Sequence, residues 1–343
     1  MNAAKVSVQK SLTLKKKIGI LLINTGTPLQ PSASAIYQYL KEFLSDPHVI
    51  PLRSMIWLPI LSGLILPLRS RRSAKLNEKI WTSLGSPMRI YMQAIAKLLE
   101  KKLSETFPEK YFSVKIAMNY GEPLIKNALM DFSRHEIYDT IVLPLFPQYS
   151  HTSTGAAYDR MQTILAEMAS KHCFNLQFIE HYSQQKEYID ALAQSVKNHW
   201  QMRGRGDILL ISFHGIPKRY AAQGDPYPIH CVQTSELLAR SLGLTDEQWM
   251  LCYQSKFGYD QWLEPATFSL LKQLPERNIT KIDLICPGFS VDCLETLEEI
   301  AIRGKEIFLK NGGKQFNYIP ALNDSVPHIE ALAKIIMIHQ CLT

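Results

Sequence analysis

Eight short, nearly unbroken apolar runs, separated for the most part by helical patterns, restrict this chain to an α/β architecture. They are Lys17–Asn24, Ser113–Asn119, Thr140–Phe146, Phe174–Glu180, Asp207–Phe213, Trp249–Tyr253, Lys281–Cys286 and Gln315–Pro320. A strand that is apolar on both faces must be covered on both, as in a parallel sheet lying between helical layers. The spans Ile90–Leu103 and Tyr188–His199 carry the 3.6-residue period of such helices. The order also repeats. The first run ends in Asn24-Thr25-Gly26 and the fifth in His214-Gly215, while the third leads into Pro147–Ser150 and the seventh into Pro287–Ser290. This predicts one four-stranded unit used twice, with the four polar turns at the carboxyl ends of strands, where such sheets bind ligands. The two halves should part near residues 170–185.

The domains expected are a basic lead-in over residues 1–16, a first half over 17–175 and a second over 176–325. A last segment, 326–343, contains a helix at Val326–His339 that packs back on the first half. With 343 residues and ordinary apolar content, a sizeable core needs no disulfides. The six cysteines are scattered without a C-x-x-C pair, which suits a reducing compartment and predicts the cytoplasm. The net charge of +7 is compatible with an anionic ligand or a membrane surface. No basic stripe interleaved with aromatic residues accompanies it, so nucleic acid is not an expected partner. The lead-in lacks the apolar region of a signal peptide and is expected to be disordered.

Met55–Leu68 (MIWLPILSGLILPL) falls short of the roughly 18–20 apolar residues of a spanning helix, and Pro59 and Pro67 are expected to interrupt it. It suits either a buried core helix or an exposed lip for a hydrophobic ligand or bilayer face. The second option would allow peripheral contact at the inner face of the membrane.

Chemistry-bearing residues gather at the strand ends of the second half. His214 follows a buried strand directly and precedes Gly215-Ile216-Pro217, so its imidazole rides on a rigid support. After the seventh run, Asp292, Glu295 and Glu299 fall at i, i+3 and i+7 and would share one face of a helix opening there. Acidic residues are common in a first helical turn. That preference does not by itself explain an acidic row at the same sheet edge as a histidine.

The segments NTGTP, PQYSHTSTG, LISFHGIP, YQSKFG and PGFSVDCLETLEEI, taken in order, resemble the ferrochelatases from about Lys17 to Leu332. The resemblance implies two Rossmann-like (flavodoxin-like) halves of the chelatase fold, with a porphyrin in the cleft between them. It also implies a lyase that inserts Fe2+ into protoporphyrin IX to form protohaem, the last step of haem biosynthesis. His214 and Glu295 then hold the metal and accept protons jointly, because a neutral imidazole does either and carboxylates desolvate a divalent ion. Glu299 and Asp292 continue the path for protons or metal. Arg71, Arg72 and Lys75 match basic residues that meet propionates at the cleft mouth, and residues 54–82 match the lip. Tyr120, Tyr149 and Trp262 are the aromatic residues expected around the macrocycle.

Three positions depart from the family pattern. Asn119 stands where relatives often carry arginine, Cys293 where some carry histidine, and His151 follows PQYS where some carry a cluster cysteine. With Cys341 alone in the tail, no 2Fe–2S cluster is expected, since ligation takes four thiolates, and no other permanent cofactor is implied. A chelatase for coproporphyrin III or sirohydrochlorin, or a porphyrin carrier without activity, remains open at this point. Both a monomer and a homodimer are compatible with the sequence. A nucleotide-binding enzyme is not expected, since no G-x-G-x-x-G follows the first strand.

Overall fold

A computed structural model describes residues 15–50, 54–169, 173–258 and 260–340, the side chains of 54–56 and 340 excepted. Most of the expected lead-in and Cys341 lie outside the described residues.

All eight apolar runs form strands: β1 (Lys16–Asn24), β2 (Lys110–Met118), β3 (Asp139–Pro144), β4 (Asn175–Phe178), β5 (Ile208–His214), β6 (Trp249–Gln254), β7 (Lys281–Ile285) and β8 (Gln315–Ile319). They make two four-stranded sheets of identical order, β2-β1-β3-β4 and β6-β5-β7-β8, and every pairing is parallel. The central strands β1 and β5 are buried along nearly their whole length, which is why they read as continuous apolar runs. In each sheet the strand order reverses between the two central strands, β1 and β3 or β5 and β7, so the chain winds outward to opposite edges. A crevice therefore opens beyond their carboxyl ends.

The turn after β1 needs its glycine. Gly26 has φ of 120°, and a Cβ there would stand 1.9 Å from the Tyr120 carbonyl oxygen.

The helix Val326–Gln340 packs on Pro87–Thr106 of the first half and on Lys186–Arg203. It contributes Ile329, Leu332, Ile335 and Ile336 to a core that also contains Ile20, Leu99, Val196 and Phe213. At roughly 2 kcal/mol for each buried aliphatic side chain, this helix is an integral part of the core.

Residues 54–78 form a continuous helical run, Ser54–Ile60, Leu61–Ile65 and Leu66–Glu78, whose middle segment is π-helical. The expected interruption by proline does not occur. Pro67 follows the widened turn and opens the last segment near its N-terminus, where a missing N–H costs least. One side, with Leu61, Leu66 and Ala74, packs on Ile36, Leu40 and Leu44 of the helix Ala33–Leu44, and the Trp57 indole donates to the Leu44 carbonyl at 2.6 Å. The other side leaves Leu58, Ile60, Leu64 and Leu68 between 38% and 69% exposed. The segment is thus an exposed apolar lip. Among the described residues no helix is long and apolar enough to cross a membrane.

Candidate functional site

His214 ends β5, half-buried at the switch point of the second sheet. Its Nδ1 lies 2.7 Å from the Gly215 carbonyl oxygen, which only accepts, so Nδ1 carries the proton and Nε2 the lone pair. Tyr227 donates its hydroxyl to the His214 carbonyl at 2.9 Å. The rings of Trp262 and Phe289 lie 6.5 and 6.4 Å from the imidazole, and Phe257 lies 4.9 Å from Trp262. Gly215 permits this packing, since a Cβ there would sit 2.9 Å from the Gln254 carbonyl oxygen and 3.1 Å from the Trp262 ring.

The end of β6 positions the carboxylates. Gln254 accepts from Ser212 at 2.8 Å and donates to the Glu295 carbonyl at 2.8 Å, fixing the backbone there. Ser255 has φ of 66°, a conformation strained for a residue other than glycine. It donates its backbone N–H and hydroxyl to the two oxygens of Glu299, at 2.8 and 2.6 Å. Burial pushes the Glu299 carboxyl above its ordinary value, against the opposing pull of Ser255 and nearby His214. Glu295 is less buried, and Tyr39 of the first half lies near it: the tyrosine's own burial, and after it the Glu295 charge, drive that phenol well above its usual range.

The structure places His214 near Trp262 and Glu299, with the Glu295 backbone held by Gln254 at the same sheet edge, and corrects other expectations. Asp292 does not share the helix face, because the helix begins at Leu294 and widens to a π-helix over Leu297–Gly304. Its buried carboxylate accepts from Thr296 at 2.8 Å, Tyr318 at 2.5 Å, Asn323 at 2.8 Å and the Ala321 N–H at 3.4 Å. That saturates it and ties the loop after β7 to the end of β8. Asp292→Asn is therefore expected to cost about 2 kcal/mol in urea unfolding while turnover stays within about threefold. Lost turnover at unchanged stability would return Asp292 to the path.

Tyr120 offers no open ring face. It is 1% exposed, donates to Asp46 at 2.8 Å and lies beneath the Arg160 guanidinium, 5.0 Å from its ring centre. Arg160 also donates to Glu42 at 2.6 Å and to the Asn119 carbonyl, so a cation from another helix stands at the position of that departure. Tyr149 is half-buried beside His151 and His230, and burial together with Glu180, Asp225 and Asp159 raises its phenol. None of these is a neighbour of the Glu299 carboxylate. Arg71, Arg72 and Lys75 are solvent-exposed on the lip helix.

Four residues in contact with this region were not singled out from the sequence. They are Tyr39, Ser255, Arg69, which lies 5.4 Å from the Phe257 ring centre, and Glu298, buried among the acidic residues after β7. Ser255 and Glu298 stood inside the recognised YQSKFG and LETLEE segments, which was the signal available. Among the described residues, no three histidine, cysteine or acidic side chains converge as a preformed metal cage.

Two parallel sheets of the same order, with a histidine and carboxylates at the switch point of one, define a protein of the chelatase type. Its backbone resembles SirB from Bacillus subtilis with Fe3+ at a TM-score of 0.55 and 11% identity, over 94% of this chain and 95% of that one. It also resembles the sirohydrochlorin chelatase SirB from B. subtilis subspecies spizizenii in complex with cobalt, at 0.52 and 9% identity over the same shares. The sequence is more specific. Residues 17–340 match the ferrochelatase family model, and the chain belongs to the ferrochelatase family. The ferrochelatase of Vibrio cholerae is 45% identical over 94% of this chain and 98% of its own length. That of Hamiltonella defensa is 46% identical over 94% and 99%, and ferrochelatase 1 of Shewanella oneidensis 44% over 93% and 94%.

Proposed function

We propose that this chain inserts Fe2+ into protoporphyrin IX to give protohaem and two protons, the last step of haem biosynthesis. His214 and Glu295 act jointly on the incoming ion and the departing pyrrole protons, and Glu299 continues the path. The observation that carries the reading is an imidazole held by its Nδ1, with the Nε2 lone pair available, beside a buried carboxylate whose proton affinity is raised. Beside Trp262, Phe289 and Phe257, such a pair takes up the pyrrole protons that metal insertion displaces. The iron is a substrate here, met by an open two-point site and not by a closed cage that would retain it.

Arg71, Arg72 and Lys75, together with Arg69, supply cations at the cleft mouth for two propionates. The exposed leucines of the lip favour a lipophilic porphyrin over a more acidic one, and also suit peripheral contact with a membrane surface. No resident cluster is proposed, because ligation takes four thiolates and the cysteines are scattered, with Cys341 alone in the tail.

Anaerobic mixing with Fe2+ and either protoporphyrin IX or coproporphyrin III, followed by absorbance, tests the reading. Catalytic haem formation from protoporphyrin is the expected result. Tight porphyrin binding without turnover would sink it in favour of a carrier, and faster turnover of coproporphyrin would reassign the substrate.

A further inference from the structure

The lip reaches the second half through Arg69 and Lys79, and both contacts lead to the site. Arg69 lies over Phe257, which packs on Trp262 beside His214. Lys79, immediately after the helix Leu66–Glu78, reaches Glu298 at 3.2 Å. Glu298 lies in the π-helix between Glu295 and Glu299, and its side chain is 2% exposed. Its other oxygen is 3.3 Å from Arg303, whose guanidinium rests on Phe268 with 5.1 Å to the ring centre.

An exposed lysine paired with an exposed acid would contribute almost nothing. This pair ends on a buried anion, so removing the lysine leaves a desolvated carboxylate with one cation in place of two. The carboxylate also belongs to a π-helix, a winding of poorer hydrogen-bond geometry that is common at functional sites. A shift of Glu298 shifts the next residue, Glu299, against its Ser255 clamp.

We infer that Lys79 and Glu298 are positioning residues that couple the lip to the π-helix, so that seating a porphyrin against the lip fixes the geometry of Glu295 and Glu299. The inference rests on the proposed function for its catalytic readout but not for its structural one.

Lys79→Met, Glu298→Gln, the double variant and Lys79→Arg are compared in three measurements. These are turnover of protoporphyrin IX, porphyrin affinity by fluorescence quenching, and amide hydrogen exchange over residues 294–304. Lys79→Met is expected to lower kcat about tenfold, leave Kd within about twofold and quicken exchange in that segment by about tenfold. Lys79→Arg restores kcat to within about twofold. The double variant is no worse than Glu298→Gln alone, because Lys79 then has no carboxylate left to pair with. Wild-type kcat and exchange in Lys79→Met would overturn the coupling, as would losses that multiply in the double variant. A wild-type protein without turnover sinks the proposed function instead, and the exchange measurement then decides the coupling alone.

Discussion

His214→Ala is expected to lower turnover by about three orders of magnitude while porphyrin affinity stays within about threefold. The separation follows from geometry. The imidazole is one half-buried ring among Trp262, Phe289 and Phe257, so its loss removes little of the apolar surface that would hold a macrocycle. It does remove the Nε2 lone pair, the basic nitrogen that β5 delivers to the crevice. Added imidazole should recover part of the rate, because the cavity left behind matches the lost ring and Gly215 still presents its carbonyl to the entering N–H. Absorbance under anaerobic conditions measures the rate, and fluorescence quenching the affinity. A variant that keeps its turnover would remove His214 from the chemistry. A variant that loses affinity and rate together would make it a binding residue only.

How far the sequence could be read depends on whether the information was local. The strands were legible because burial on both faces leaves no polar alternation, and Leu209–Phe213 could scarcely be anything else. His214 was legible because its place follows from the strand that precedes it. The lip was legible as apolar but not as exposed, since a segment apolar on all sides carries no mark of which side is covered. Only packing against Ile36, Leu40 and Leu44 decides that. Asp292 was misread because the 3.6-residue period fixes spacing within a helix but not the residue at which it starts. Of the residues that hold Asp292 outside the helix, Thr296 comes from the helix itself, Tyr318 from β8 and Asn323 from the loop after it. Tyr120 was misread for a related reason: a tyrosine after a strand can face the cleft or its own half, and Asp46 draws it inward. The Lys79–Glu298 pair spans 219 positions, and no local pattern announces it.

Glu299→Gln is expected to lower turnover by about two orders of magnitude and yet to raise Tm at pH 7 by about 2 °C. Burial raises the native-state pKa of Glu299 above its ordinary 4.5, so the native state holds that proton more tightly than the unfolded chain does. Above the native-state pKa the carboxylate is charged in both states, and the folded protein bears the whole cost of keeping the charge out of water. As pH falls through that value the cost shrinks, and below about 4.5 it is gone, because both states are then protonated. The amide of glutamine never carries the charge and can still bond the Ser255 N–H and hydroxyl. The stability gain of Glu299→Gln should therefore be complete above the native-state pKa and vanish in acid, as thermal unfolding at a series of pH values would record. The wild-type rate should fall on the acid side with an apparent pKa above the usual carboxylate range, because burial raises the Glu299 carboxyl. In Glu299→Gln that acid limb should disappear. A variant less stable than wild type at pH 7 would mean that Ser255 outweighs desolvation and that Glu299 is a structural acceptor. An unchanged acid limb would take Glu299 out of the proton path. If both expectations hold, the protein retains at this position a carboxylate that destabilises its fold, and the π-helix and the strained Ser255 are the backbone features that keep it there.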